Sequence, residues 1–337
     1  MRGSSRDAIF PLGRFSFACG QTLENAHLAY RVFGELAADG TNLVLMPTSY
    51  GAWPEDIDWV VGPILDPERW CVVVVSQFGN GRSSSPSNSP MGLAEGGWCV
   101  SHADNVRAQR RLLEEVFKVE SPALVYGWSM GAQQGFHWAA LEPERCQRLL
   151  ALCGTGRTTP HTRLFLLSLR QALTADPAWT GSGFDGEPLQ GLRTFALIYA
   201  SWAASQPYYR SLSLAAHSYG SLEDYVEKAW LPLYRRHDPH NLVAMLDTWL
   251  ACDVAAAAGC GEDLAAALGR IQARVSVVAS RHDLYFPPAD CGAEAALIRG
   301  ASFLVINSHL GHRTGNPRDD PAVQARLRQA VEELQQR

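Results

Sequence analysis

Gly127-Trp128-Ser129-Met130-Gly131 follows the apolar run Ala123-Leu124-Val125-Tyr126 and precedes a helix-like segment from Ala132 to Glu142. This is the G-x-S-x-G pattern in the order strand, sharp turn, helix, an arrangement that lifts a serine hydroxyl clear of a sheet. Glycine at both flanks leaves the tight turn free of side chains. The first N–H groups of the following helix have no partner inside it and point toward the same spot. An alcohol is a weak nucleophile at neutral pH, so a serine displayed this way requires a base beside it.

Working outward, the segments around this turn spell an α/β architecture. Phe15-Ser16-Phe17-Ala18 and Leu28 to Phe33 suggest an antiparallel hairpin entering a sheet. Asn42 to Met46, Trp70 to Ser76 and Leu149 to Cys153 are short, continuously apolar runs, as expected for parallel strands covered on both faces. Ala103 to Val116 has helical spacing of apolar positions, with Asp104 near the start where it suits the helix dipole. From 154 to about 265 the rhythm changes to helical segments rich in aromatics, then resumes with strands at Val275 to Ala279 and Ser302 to Ile306 and a closing helix from about Pro321 to Gln336. The expected organisation is a core of residues 1–153 and 266–337, with a helical cap of 154–265 inserted after the sixth strand. Such a cap stands above the C-terminal ends of the strands, where open α/β sheets bind ligands.

Composition narrows the classes. A chain of 337 residues with 47% hydrophobic content can bury a sizeable core, and its formal charge of -5 carries no basic block that would meet nucleic acid. No segment has eighteen uninterrupted apolar residues, and the start MRGSSRDAIF lacks a long apolar stretch, so neither a membrane span nor a signal segment is expected. The eight cysteines form no C-x-x-C pair and read as reduced thiols of a cytoplasmic protein. The histidines show no metal-ligand spacing, so no metal is expected. Gly79-Asn80-Gly81 has Ser84 at the third glycine position of a dinucleotide fingerprint, which leaves a permanently bound cofactor without support.

Partners for Ser129 come in the chain order serine, acid, histidine. Asp283 lies just past the strand ending near Ser280, and His312 just past the one ending at Ile306. His312 would take the serine proton, and Asp283 would orient the imidazole and stabilise its charged form. The rivals are His309 and His282 for the base and Asp290 for the acid, with Asp290 expected in the helix after Pro287-Pro288. His137, two turns down the helix after the serine, reads as structural. An oxyanion hole needs two donors: the Met130 N–H is one, and the loop after the first core strand supplies the other, from Ser49 or next from Thr48. These are backbone roles, so the Ser49 side chain is expected to matter little.

With these residues in place, the chain resembles the homoserine O-acetyltransferase family, whose members have the α/β-hydrolase fold, over about residues 14 to 330. The family stretch Gly-Gly-Ser-Met-Gly-Gly-Met-Gln reads here Gly127-Trp128-Ser129-Met130-Gly131-Ala132-Gln133-Gln134. Arg163 to Phe184, Gly191-Leu192 and Tyr209-Arg210-Ser211 match further family markers in the cap. The resemblance implies that Ser129, Asp283 and His312 form the triad, that Ser49 and Met130 supply the oxyanion donors, and that Tyr209 lies near the substrate. It implies acyl-CoA as co-substrate and homodimers joined through their caps. The match breaks at the amino-acid clamp. The family follows its histidine with an Asp that meets the homoserine ammonium, where this chain has Arg313. The family's carboxylate-binding Arg aligns with Ala196, and the nearby Arg193 falls elsewhere on the helix turn. An ammonium beside Arg313 would meet like charge, so Arg313 is expected to face an acid or a neutral polar molecule, or else to pair with Asp319 or Asp320. The expected activity is acyl transfer from acyl-CoA to a small non-homoserine alcohol, with ester hydrolysis by the same three residues as the alternative.

Overall fold

The computed structural model describes residues 4–93 and 98–336; the first three residues of the start lie outside them. The hairpin forms as β1 (Ser5–Ser16) and β2 (Thr22–Phe33), both longer than the apolar pattern alone suggests. The core strands follow as β3 (Leu43–Pro47), β4 (Cys71–Val75), β5 (Leu124–Trp128), β6 (Arg148–Leu152), β7 (Arg274–Ser280) and β8 (Ser302–Ile306). They make one 8-stranded sheet in the order β1-β2-β4-β3-β5-β6-β7-β8. The hairpin joins it antiparallel through β2 and β4, and all pairs from β4 to β8 are parallel.

The continuous apolar runs have a structural cause. In β4, Cys71, Val73 and Val75 enter one core with Leu43, Leu45, Val125 and Leu149, while Val72 and Val74 enter a second with Val44, Tyr126 and Leu150. Each valine is fully buried, which stabilises the fold by roughly 1.5–3 kcal/mol per side chain. The closing helix Pro321–Gln336 supplies Val323, Leu327 and Val331 to the second core. Helices His102–Leu112 and Met130–Leu141 cover the opposite face. The first of these starts with a reciprocal cap between Ser101 and Asp104, so Asp104 caps the helix as well as facing its dipole.

Between β6 and β7 the chain runs through helices including Pro160–Thr174, Leu189–Ala203, Gln206–Ser211 and Pro239–Leu250. The short helices Val254–Ala257 and Leu264–Gly269 then pack back against Met130–Leu141. Among the described residues, no helix is long and apolar enough to cross a membrane.

One reading of the cysteines is corrected. Cys19 and Cys99 form a disulfide, with Cα atoms 6.3 Å apart. Cys71, Cys146, Cys153, Cys252 and Cys291 are buried thiols and Cys260 is half-buried. The paired cysteines remove the inference from reduced thiols to a cytoplasmic location, because disulfides persist in oxidising compartments.

Candidate active site

Ser129 sits between β5 and its helix at φ 58° and ψ -126°, a conformation that non-glycine residues hold only when their surroundings impose it. Its N–H donates to Leu152 O at 2.9 Å, and its carbonyl accepts from Gln133 N–H at 3.1 Å. The flanking glycines are required by close approach. A Cβ on Gly127 would stand 2.3 Å from Gly131 O, and one on Gly131 would stand 2.6 Å from Pro47 O. Ser129 is 3% exposed, and its hydroxyl makes no hydrogen bond to protein among the described residues.

Asp283 and His312 come together from the turns after β7 and β8. The Nδ1–H of His312 donates to Asp283 Oδ2 at 2.7 Å, which leaves Nε2 as the lone-pair nitrogen. The other carboxylate oxygen accepts the N–H groups of Tyr285 at 2.8 Å and Phe286 at 3.1 Å. Both side chains are buried. Gly311 lets the histidine loop turn back: it has φ 62°, and a Cβ there would lie 2.9 Å from Ser205 N. The rivals are elsewhere. His309 is exposed and stacks on Tyr208 with ring centroids 6.2 Å apart. Asp290 lies in the helix Pro288–Ala295. Among the described residues, neither it nor His282 bonds to His312. His137 bonds the Gln133 carbonyl at 2.8 Å through Nδ1, and burial pushes its imidazole down to about 4. It is a neutral structural histidine.

The loop after β3 separates Ser49 from Thr48. The Thr48 N–H donates to Val75 O at 2.9 Å. The Ser49 N–H meets no protein acceptor among the described residues. Met130 is the first residue of its helix, so its N–H has no intrahelical partner. The loop is held by Gln77, whose side chain donates to Ser49 O at 3.0 Å and whose N–H donates to Thr48 Oγ1 at 3.0 Å. Sequence reasoning missed one contact: the Ser49 hydroxyl donates to the Trp128 carbonyl. The Ser49 side chain therefore does have a role, since it anchors the turn that carries Ser129.

These groups form the floor of a cavity of about 490 Å³ shared by Ser49, Trp128, Ser129 and His312. Its roof is aromatic, with Tyr199, Tyr208, Tyr225, Trp230 and Tyr234, and Arg313 lies on its wall. Tyr209 does not line it. Successive residues of the short helix Gln206–Ser211 point about 100° apart, so Tyr208 faces the cavity and Tyr209 turns to donate its hydroxyl to Ala200 O at 2.5 Å. Burial pushes the Tyr209 phenol up to about 12, with the Arg313 charge opposing. Arg313 is exposed and makes no ion pair among the described residues, so the expected alternative partners Asp319 and Asp320 do not hold it. Arg193 points outward into an ion pair with Glu227 at 2.9 Å, and Ala196 is buried. Among the described residues one group of metal-ligand type occurs: ligand atoms of Cys153, Asp283 and His312 lie within 4.8 Å of one another. Asp283 and His312 are already bonded to each other, and burial, helped by the Asp283 charge, holds the Cys153 thiol well above its usual range. The geometry is that of an acid–histidine pair beside a strained serine, with two free N–H groups nearby.

The comparisons with known proteins place the chain in a family. A family described as alpha/beta hydrolase fold matches residues 43–313. The ethyl acetate hydrolase of Pseudomonas veronii is 36% identical over 310 residues, covering 90% of this chain and 88% of that one. The solved structure of the acetyl esterase MekB superposes with a TM-score of 0.91 at 34% identity, covering 98% of this chain and 96% of that one. The homoserine O-acetyltransferase of Symbiobacterium thermophilum is 29% identical, covering 94% of this chain and 91% of that one. The resemblance to the acetyltransferases is therefore present but more distant than the likeness to these two ester hydrolases. This chain belongs to the alpha/beta hydrolase fold family, as an enzyme of the ester-hydrolase and acyltransferase kind and a divergent relative of the homoserine O-acetyltransferases.

Proposed function

We propose that the protein is a serine-dependent carboxylic-ester hydrolase that cleaves esters of short acyl groups, with acetyl the best supported. The observation that carries this reading is the near full-length likeness to an ethyl acetate hydrolase and an acetyl esterase at 36% and 34% identity, against 29% for the acetyltransferase. The expected transfer from acyl-CoA becomes the second reading. It keeps the support of that full-length acetyltransferase likeness, and it loses support from the missing amino-acid clamp at Arg313 and Ala196.

The steps follow from the site. Ser129 Oγ attacks the ester carbonyl carbon as its proton passes to His312 Nε2. The oxyanion takes hydrogen bonds from the Met130 and Ser49 N–H groups. The carbonyl re-forms, the C–O bond to the alcohol breaks, and the alkoxide leaves with the proton from Nε2. Water then gives its proton to Nε2 and attacks the acyl-serine, and the acid departs as Ser129 recovers the proton. Asp283 keeps Nδ1 protonated throughout and stabilises the imidazolium. Arg313 on the cavity wall favours neutral or acidic substrates over cationic ones. Pairing of two chains through the helical insertion is supported by the exposed leucines Leu164, Leu167 and Leu197 on its two adjoining helices.

The test compares ethyl acetate and p-nitrophenyl acetate with acetyl-CoA as acyl donors, with and without hydroxylated acceptors. Ester cleavage without an acceptor is expected. CoA release that requires an added alcohol, with esters left intact, would establish the transferase reading instead.

A further inference from the structure

Trp128 ties the serine turn to two other segments of the site, the Ser49 loop and the His312 loop. Its carbonyl accepts the Ser49 hydroxyl from the loop after β3. Its indole lies against the His312 imidazole, with ring centroids 5.3 Å apart and planes 27° apart. Its Nε1–H donates to the His312 carbonyl at 3.3 Å. The histidine loop is shaped to receive it: a Cβ on Gly315 would stand 2.1 Å from Trp128 Cδ1. Gly315 is thus a seat for the indole, and its small size serves contact rather than a special backbone angle.

The bond from His312 Nδ1 to Asp283 holds one nitrogen but leaves the ring free to pivot about that axis. Three rings limit the pivot: the face of Trp128, Tyr285 with its centroid 4.6 Å away at 73°, and Phe286 at 5.7 Å and 33°; of these Trp128 alone belongs to the serine turn. Trp128 is also the residue bonded to Ser129. Any shift of the elbow therefore moves the indole, and with it the surface that the imidazole rests on. We propose that Trp128 is a positioning residue that sets the approach of His312 Nε2 to Ser129 Oγ, with Gly315 as its seat. This rests on the serine–histidine chemistry above and holds whether water or an alcohol receives the acyl group. A misplacement on the order of 1 Å costs about 10²-fold in rate, so the effect belongs in kcat and not in KM.

The test uses Trp128→Ala, Trp128→Phe and Gly315→Ala in the full chain. Each is measured for kcat and KM on p-nitrophenyl acetate, for the rate of Ser129 labelling by a fluorophosphonate followed by intact mass, and for Tm. Trp128→Ala is expected to lose about 10²-fold in kcat, and Trp128→Phe, which keeps a ring face, about tenfold. Gly315→Ala displaces the indole and should fall between them. KM should stay within about threefold, and labelling should slow in parallel with kcat. Undiminished labelling and kcat in the variants would overturn the proposal, as would a loss carried by KM alone, which would make Trp128 a wall of the cavity. Should Trp128→Ala not fold, Trp128→Phe and Gly315→Ala decide by the same criteria. A wild-type chain that takes no label at Ser129 would overturn the serine reading itself, and this proposal with it.

Discussion

The floor and the roof of the cavity are built differently. On the floor, Asp283 accepts three hydrogen bonds, the Ser129 backbone makes two, and the loop of Thr48 and Ser49 is tied to Gln77. Every one of these anchors is buried backbone or buried side chain. On the roof, Tyr208 stands on the short helix Gln206–Ser211, while Tyr225 and Trp230 lie in one continuous helical stretch, 222–235, that is π-wound over Val226–Trp230. A helix as short as Gln206–Ser211 has little stability of its own and depends on what it packs against, and the π-wound turn departs locally from α geometry. On the proposed function, the floor would hold the reacting groups and the roof would bear on which substrates enter.

The floor should therefore break first. Ser129→Ala is expected to lower ester turnover by more than about 10³-fold at unchanged Tm; a smaller loss would place the nucleophile elsewhere. Asp283→Asn keeps the shape but invites the wrong imidazole tautomer, and kcat should fall by about 10²- to 10⁴-fold. At the seam between floor and roof, Glu294 accepts the Gly156 N–H at 2.5 Å, and burial raises its carboxyl from 4.5 to about 7. A raised folded-state value means that this stabilisation is whole below about 4.5 and is lost as pH rises through about 7. The loss amounts to at most about 3 kcal/mol. Thermal melts across that window should show wild-type stability falling more steeply than that of Glu294→Gln. A smaller effect is expected at Ser49→Ala, which frees the Trp128 carbonyl. Losing one buried hydrogen bond costs about 1 kcal/mol, and kcat should drop by up to about tenfold. Unchanged kcat would return Ser49 to a backbone role only. The least effect belongs to Tyr209→Phe, whose hydroxyl serves Ala200: stability should fall by about 1 kcal/mol or less, with kcat and KM unaltered. A large rise in KM would bring Tyr209 back to the substrate.

Much of the floor was legible in the sequence because its signals are local. Apolar runs gave β8 and the closing helix with the bounds the structure has, Ser302–Ile306 and Pro321–Gln336, the helix opened by its proline. The G-x-S-x-G turn and the strand-end positions of Asp283 and His312 needed only order and spacing. What escaped was contact between distant segments. Ser49 reaches Trp128 over 79 positions, Trp128 reaches His312 over 184, and Cys19 pairs with Cys99 over 80. No periodicity encodes such pairs. The roof failed for another reason. The resemblance implies Tyr209 near the substrate, but adjacent residues of a helix point about 100° apart, and packing puts Tyr208 on the cavity and the Tyr209 hydroxyl on Ala200 O.

In the proposed reaction water takes the acyl group from Ser129. Turnover of ethyl acetate in ¹⁸O-labelled water, with an excess of hydroxylated acceptors present, tests it most directly. Labelled acetate is expected as the product of every turnover, with none from the Ser129→Ala chain. Unlabelled acetyl esters of the acceptor as the main product would contradict it.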